Sequence, residues 1–516
     1  MCGIAGVFLR ETGQTHEQLF PLLDAINHRG YSCQESASGA NWAIGANRLE
    51  IVDRPNGRQP FYSQDGSIAI VFNGEIYNHK ILRKQLAAEG YQFRTDTDTE
   101  VIAYGFHRWR EGLFDRLDGM FAIIAHDSMD GSYCAARDPL GVKPLYFVTT
   151  ATGVFMASEI KALLNLDSEI KEVPPGHIMR DPECFEPYVT WPEVEVSSSL
   201  ADNAVTLRTL FSEAIRKRVD TDLPVAVFLS AGIDSAAVIF EAARHHKNVV
   251  GFTIGNDEGS DVIAAKRLCS ELDLNLQHIR ISEQELLAVI PEAIWTIESF
   301  EPNHIRGGCL SYVLSREVAC ADFRIALCGE GADELFGGYR EFGLALARGE
   351  PPAAVGATMD RFVAELYKTQ LKRVDRTGMR FTLEVREPFL DKAIVSFSKR
   401  LPMDHKVALL PDGQAVDKRV LREAYRGFLP DWVVDRTKAV LSLGAGFGSN
   451  GPEGMFYFNG QNRVSETEFE SLRAEYPEFN LRNREEACYF KIFQSKFGEL
   501  GLAKQRPVVN ATPARI

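Results

Sequence analysis

Residues 225–240 read VAVFLSAGIDSAAVIF. A short apolar, β-favouring run leads into small residues, and an Ala-rich helical run follows. That is strand, tight turn and helix, the opening of a parallel α/β unit. The turn is Ser230-Ala231-Gly232-Ile233-Asp234-Ser235. Backbone N–H groups at such a turn, together with the helix dipole, make a cradle for an anion. Small-residue turns also occur for packing alone. This one lacks the GK[ST] ending of a Walker A loop.

Downstream of this unit the alternation continues. VVGFTIG is followed by the helical run DVIAAKRLCSELD, then the strand LQHIRI and one long helix to about residue 299. RIALC is followed by ADELFGGY. The alternation predicts a doubly wound parallel sheet with extra helices over residues 205–505. Upstream the texture differs. IAGVFL, WAIGANRLEIV, SIAIVFNGEIYN, GMFAIIAHD, SYCAARD, PLYFVT and GVFMASE are short β-like runs between Gly and Asp turns. Only HEQLFPLLDAIN and TEVIAYGFHRW read as helices there. Residues 2–190 are therefore expected to form stacked, largely antiparallel sheets with a few helices. The polar, Ser/Pro-containing run 186–204 reads as a linker, and the tail after about 505 as frayed. The expected fold is a two-domain α/β protein.

Bulk properties narrow the classes. A chain of 516 residues exceeds one comfortable core. A net charge of −14, spread along the chain with no basic stripe, argues against a nucleic-acid partner. No stretch approaches the 18 or so apolar residues of a membrane span. The N-terminus lacks the basic and apolar regions of a signal peptide. Nine cysteines without a CxxC pair suggest a reducing, cytoplasmic setting and no structural zinc.

The chain opens MCGIAGVFLRETG, with Cys2 behind the initiator methionine. Cys2 reads either as a small hydrophobe of a strand or as an N-terminal nucleophile whose own amine is the base. Other residues of this half each have a dull reading. Arg48 suits a surface ion pair, Asn73-Gly74 a turn, and Asp98 a helix cap. Together with Cys2 they supply the parts for cleaving an amino-acid amide. Asn73 and Gly74 N–H groups can form an oxyanion hole, Arg48 can clamp an α-carboxylate, and Asp98 can hold an α-ammonium. In the second half, GEGADELFGGY at 329–339 places Gly329, Glu330 and Asp333 at a strand end, where ligands bind in α/β sheets. Asp234 and Asp333 can share Mg²⁺, and Glu330 is a candidate general base. EVREPFLD at 384–391 and Lys438 follow. Lys438 can meet the charge of departing pyrophosphate, with a solvated surface lysine as the alternative.

The first half resembles the class II glutamine amidotransferases, an αββα sandwich family with an N-terminal cysteine. The resemblance implies Cys2 as nucleophile and Arg48, Asn73, Gly74, Glu75 and Asp98 as the glutamine pocket. One loop departs: the family's His-Arg-Gly-Pro-Asp is here His28-Arg29-Gly30-Tyr31-Ser32. The 230–235 turn resembles the pyrophosphate loop Ser-Gly-Gly-Leu-Asp-Ser, with Ala231 in place of a glycine. The order of motifs over nearly the whole chain resembles the glutamine-hydrolysing asparagine synthetases. It implies a glutaminase domain and a synthetase domain that adenylates a carboxylate with ATP and Mg²⁺. Ammonia then passes through a protected channel to form the amide. ATP would be held by Ser230 to Ser235 and Gly329. The substrates are small molecules, and a homodimer is possible in the family pattern.

The acceptor region departs most. The family's Thr-Thr-Ile-Arg stretch is Asn303-His304-Ile305-Arg306-Gly307-Gly308 here, and the run after Lys438 is Ala439-Val440-Leu441-Ser442-Leu443-Gly444. Arg306, His304 and Gly308 are the candidate acceptor contacts, with volume opened at Gly307 and Gly308. Glu301 or Glu387 would have to pair any acceptor ammonium. Two acceptors stay open, aspartate and a larger or less polar carboxylate. A lactam-forming relative would have little use for glutamine, and a silent sensor none for Cys2, Asp234 or Glu330.

Overall fold

The computed structural model describes residues 2–31, 34–410, 413–437, 441–447 and 454–509, with backbone alone at 441–442 and 499–509. Chain contacts divide it into two units. Over the described residues, the first comprises 2–190 with Met379–Thr382 and 493–509; the second comprises Trp191–Gly378 with Leu383–Ile492.

The first unit stacks two six-stranded antiparallel sheets. One runs in the order Ile170–Glu172, Tyr146–Thr149, Gly153–Ala157, Cys2–Leu9, Trp42–Arg48, Gln34–Ser38. The other runs Cys184–Pro187, His177–Asp181, Tyr133–Arg137, Gly119–Asp127, Ile68–Ile76, Phe61–Tyr62. Successive side chains on a strand face opposite ways, and here both ways are apolar. From Cys2–Leu9, residues Cys2, Ile4 and Phe8 enter the core between the sheets, while Ala5, Val7 and Leu9 meet the helix Thr15–Ala25. On Ile68–Ile76, Ala69 and Val71 face the inter-sheet core, and Ile68, Ile70 and Phe72 meet the helices His79–Ala88 and Asp98–Trp109. The layers are αββα. The same parity puts Asn73 on the inter-sheet side, with Cys2.

The second unit holds a five-stranded parallel sheet. Its order is Asn275–Arg280, Val249–Gly255, Val225–Phe228, Ile325–Leu327, Glu384–Arg386. The chain moves outward on one side of Val225–Phe228 and then returns to its other side. The switch point lies between Val225–Phe228 and Ile325–Leu327, so the loops after these two strands form the ligand crevice of such sheets.

Two local expectations are corrected. The long helix expected to reach residue 299 is two helices, Glu283–Ala288 and Ile290–Ile297. Pro291 has no N–H to give to a continuing helix and instead sits in the first turn of a new one. The linker is shorter than 186–204, because a strand runs to Pro187 and the helix Leu200–Arg218 starts within it. Among the described residues, no helix is long and apolar enough to cross a membrane.

Candidate active site

Cys2 is buried at the start of its strand, and its backbone is held at both ends by side chains. Its N–H donates to Asn73 Oδ1 at 3.1 Å, and its carbonyl accepts from Arg29 Nε at 3.2 Å. Asn73 Nδ2 is buried and has no hydrogen-bond partner among the described residues. A donor in that state is what an oxyanion hole needs. Gly74 follows, where a Cβ would lie 2.0 Å from the Met120 carbonyl, so only glycine fits. The sulfur has two donors near it, the Leu49 backbone N–H and Gln59 Nε2 at 3.7 Å. Burial outweighs the opposing pull of the Leu49 hydrogen bond and Arg48 and raises the Cys2 thiol above its ordinary value, and Asp98 pushes the same way.

Cys2, Arg48, Gln59, Gly74, Glu75 and Asp98 line one small cavity. Arg48 lies under the following loop, donating to the carbonyls of Arg54 at 2.8 Å, Asp53 at 3.1 Å and Val52 at 3.2 Å. Gly57 makes room for it: a Cβ there would lie 2.3 Å from Nη2. Asp98 opens the helix Asp98–Trp109 and accepts from the Ile76 N–H at 3.1 Å. All five residues nominated around Cys2 are thus near the thiol's cavity or its backbone. Gln59 belongs with them and was not legible, since it lies in a loop with no periodicity.

The departing loop is partly described, since Ser32 lies outside the described residues. His28 and Arg29 form a 3-10 turn, and Gly30 lets it press onto the strand Trp42–Arg48, since a Cβ would lie 2.5 Å from the Asn47 carbonyl. Arg29 and His28 both reach the buried carboxylate of Glu159, at 2.7 and 3.1 Å.

In the second unit, the 230–235 turn is bound to itself. Ser235 Oγ lies 3.1 Å from Ser230 Oγ and accepts from the Ser230 N–H at 3.2 Å. Gly232 N–H donates to Ser230 Oγ at 3.3 Å, and the helix Ile233–His245 follows. Ala231 has φ +54°, the left-handed region that favours glycine, and is fully buried. Gly329 lies against the helix start, 3.0 Å from Asp234 Cβ if it carried a Cβ. Asp234 and Asp333 meet on one cation: Lys418 Nζ is 2.5 Å from the first and 2.6 Å from the second. Burial works against the Lys418 charge, but the two carboxylates outweigh it and raise its pKa. Glu334 beside them is buried, and burial with Asp333 pushes its carboxyl above the ordinary range. Tyr339 OH donates to it at 2.5 Å. Lys438 and Val440 lie outside the described residues.

The acceptor nominees land differently from expectation. Gly307 and Gly308 open no free volume. A Cβ on Gly307 would lie 2.4 Å from Arg373 Nη1, and one on Gly308 would lie 2.2 Å from Ile297 Cδ1. Arg306 donates through Nε to Glu485 at 2.8 Å and makes a second contact through Nη2. His304 is buried 3.0 Å from Ser299 Oγ, and burial pushes its pKa down to about 4. The guanidinium that meets Glu330 is Arg373, at 2.5 Å.

Comparisons with known proteins follow the same two-part division. The family model for a glutamine amidotransferase domain matches residues 1–183. The asparagine synthase model matches residues 206–357 and 352–450. Asparagine synthetase [glutamine-hydrolyzing] 2 of Arabidopsis thaliana is 31% identical, covering 96% of this chain and 87% of its own. The Sandersonia aurantiaca asparagine synthetase [glutamine-hydrolyzing] is 31% identical over 87% of each chain. A probable asparagine synthetase [glutamine-hydrolyzing] of Dictyostelium discoideum is 29% identical, covering 96% and 93%. Among solved structures, a glutamine phosphoribosylpyrophosphate amidotransferase from B. subtilis aligns with a TM-score of 0.31 at 18% identity, covering 54% of this chain and 65% of that one.

Proposed function

The chain belongs to the family of glutamine-hydrolysing asparagine synthetases, carbon–nitrogen ligases, and from that premise we propose that Cys2 hydrolyses glutamine while the second unit spends ATP to amidate a carboxylate. The observation that carries the first half is the setting of Cys2. Its sulfur has donors beside it, its backbone N–H meets Asn73 Oδ1, and Asn73 keeps a buried amide donor in reserve. With Met1 removed, the Cys2 amine takes the thiol proton and the sulfur attacks the glutamine side-chain amide. The oxyanion is received by Asn73 Nδ2 and the Gly74 N–H. The amine returns the proton to the departing ammonia, and water then cleaves the thioester. Arg48 holds the α-carboxylate, with Glu75 and Asp98 toward the α-ammonium.

In the second unit the 230–235 turn and Gly329 hold ATP, with N–H groups at the start of the helix Ile233–His245 on the phosphates. Asp234 and Asp333 suit Mg²⁺, since two hard carboxylates already converge on one cationic position. Mg²⁺ there would neutralise the charge on phosphate oxygens as pyrophosphate separates. Glu330 is the base for the attacking ammonia, Lys438 a further cation for pyrophosphate, and Arg373 the cation beside Glu330. AMP and pyrophosphate are the products beside the amide.

Aspartate is the first acceptor candidate, because the relatives are named asparagine synthetases. A less polar carboxylate rests on the apolar run after Lys438 alone, because Arg373 and Ile297 fill the space beside Gly307 and Gly308. The experiment is Cys2→Ala in the full chain. We expect glutamine-dependent AMP formation to vanish and ammonium-dependent AMP formation to persist, and a carboxylate panel run with ammonium ranks the acceptors. A folded Cys2→Ala protein that still hydrolyses glutamine would end this reading.

A further inference from the structure

Gln59 belongs to no motif read from the sequence, yet it touches the reacting sulfur. Its backbone N–H donates to Glu35 Oε2 at 3.1 Å. Its side-chain Oε1 accepts from the Phe72 N–H at 2.7 Å. A backbone N–H can only donate, so the end of the amide that faces Phe72 must be the oxygen. The other end is therefore the NH₂ group, and it lies 3.7 Å from Cys2 Sγ. The assignment of nitrogen and oxygen follows from the partner and needs no further choice. The residue is buried.

We propose that Gln59 is a catalytic residue of the glutaminase site, its side-chain amide donating to Cys2 Sγ and holding the sulfur as a thiolate. The proposal rests on Cys2 being the nucleophile. A donor-only group at sulfur favours the charged acceptor over the neutral thiol, because charge-assisted hydrogen bonds are the stronger kind. The step balances simply. The Sγ proton moves to the Cys2 amine, and the sulfur's electron pair forms the C–S bond. The carbonyl π pair goes to the oxyanion, whose collapse expels nitrogen with the proton from the amine. Water later displaces sulfur, which leaves as thiolate and again meets Gln59 Nε2. The strand Ile68–Ile76 supplies both Phe72, which orients Gln59, and Asn73, which faces Cys2. One rigid element thus serves both the sulfur and the oxyanion.

The test uses the full chain with Gln59→Glu and, should that protein lose ammonium-dependent synthesis, Gln59→Met. The glutamate keeps an acceptor for Phe72 N–H and turns an acceptor oxygen toward the sulfur. Three readouts are taken: glutaminase kcat and KM, ammonium-dependent AMP formation, and the pH midpoint of Cys2 alkylation by iodoacetamide. Alkylation is read on the N-terminal peptide by mass spectrometry, because Cys184 and Cys320 are exposed and react as well. We expect kcat to fall about tenfold to a hundredfold with KM nearly unchanged, the size of one charged hydrogen bond. The alkylation midpoint should rise by about one pH unit or more, with ammonium-dependent synthesis kept. An unchanged midpoint, or kcat near wild type, overturns the role of Gln59. A Cys2→Ala protein that retains glutaminase activity overturns the nucleophile instead, so the two failures are told apart.

Discussion

Glu159 is the residue whose replacement tests the physical account of the first unit most severely. It follows the strand Gly153–Ala157 and is fully buried. Two cations and a histidine surround its carboxylate: Lys161 Nζ at 2.5 Å, Arg29 Nη1 at 2.7 Å and His28 Nε2 at 3.1 Å, with burial pushing the His28 pKa down so that its ring is a neutral hydrogen-bonding partner. At an effective dielectric of about 20, each of the two full charges this close contributes roughly 6–7 kcal/mol of gross attraction. Desolvating each buried ion costs several kcal/mol, so the intact cluster is worth little net. Removing one member is another matter. In Glu159→Gln, Arg29 and Lys161, with side chains 0% and 2% exposed, lose the carboxylate they share. Breaking a buried pair in this way costs about 3–5 kcal/mol.

For a unit of this size, that loss lowers the midpoint of its transition by about 6–20 °C. Calorimetry and guanidinium denaturation, each with glutaminase activity measured alongside, give the number. The double variant Glu159→Gln/Lys161→Met removes one of the stranded cations and should recover about 1 kcal/mol or more of the single variant's loss. A Glu159→Gln protein within about 1 kcal/mol of wild type would refute the reasoning. So would a double variant less stable than the single one, because the penalty would then not come from stranded charge. Glutaminase activity should fall in step with stability, since Arg29 is the group that holds the Cys2 carbonyl.

Two further outcomes concern the second unit. Ala231→Gly relieves a left-handed φ of +54°, a relief of about 1–2 kcal/mol against about 0.4–1 kcal/mol of added unfolded-chain entropy. Stability should hold or rise slightly and ATP should bind at least as tightly, read by calorimetric titration; a clear loss of both would refute it. Lys418→Met leaves Asp234 and Asp333 facing one another, so the variant should melt lower, spare glutaminase activity, and gain more than wild type from added Mg²⁺ and ATP in a thermal melt. An equal or smaller gain would show that Lys418 does not hold the two carboxylates together for a cation.

Much of the scaffold was legible in local texture, short β-favouring runs between turns in the first half and strand–helix alternation in the second, and strand geometry does the rest. The two-residue period of Cys2–Leu9 and Ile68–Ile76 sets which side chains enter the inter-sheet core, and so puts Cys2 and Asn73 on one side. The strand–helix alternation after residue 205 predicts the parallel sheet, and its switch point puts the 230–235 turn beside the loop of Asp333. The groups that complete each site have no such period. Gln59 is 57 residues from Cys2, Lys418 is 184 from Asp234, and Glu159 is 131 from His28. Each contact joins separate elements, and no local pattern records it.

The free volume expected at Gly307 and Gly308 was misread for a different reason, the ambiguity of glycine. A glycine inside a helix forfeits about 0.5–1 kcal/mol relative to alanine, so two in the middle of Pro302–Cys320 need a cause. Open space for a ligand is one cause, and close approach by another side chain is the other. Sequence alone does not separate them, because both ask only for a missing Cβ. Here Arg373 crosses the helix at Gly307, and Ile297 packs against Gly308. The crossing delivers the Arg373 guanidinium to Glu330. Arg306, the cation that the sequence makes conspicuous, is meanwhile committed to Glu485 by a 2.8 Å hydrogen bond and a second contact. Both guanidinium groups are engaged by carboxylates, Arg306 by the fully buried Glu485 and Arg373 by the more exposed Glu330. Gly307 is thus the clearance at which Arg373 of the helix Gln370–Met379 passes Pro302–Cys320 on its way to Glu330, and Gly308 the clearance for Ile297.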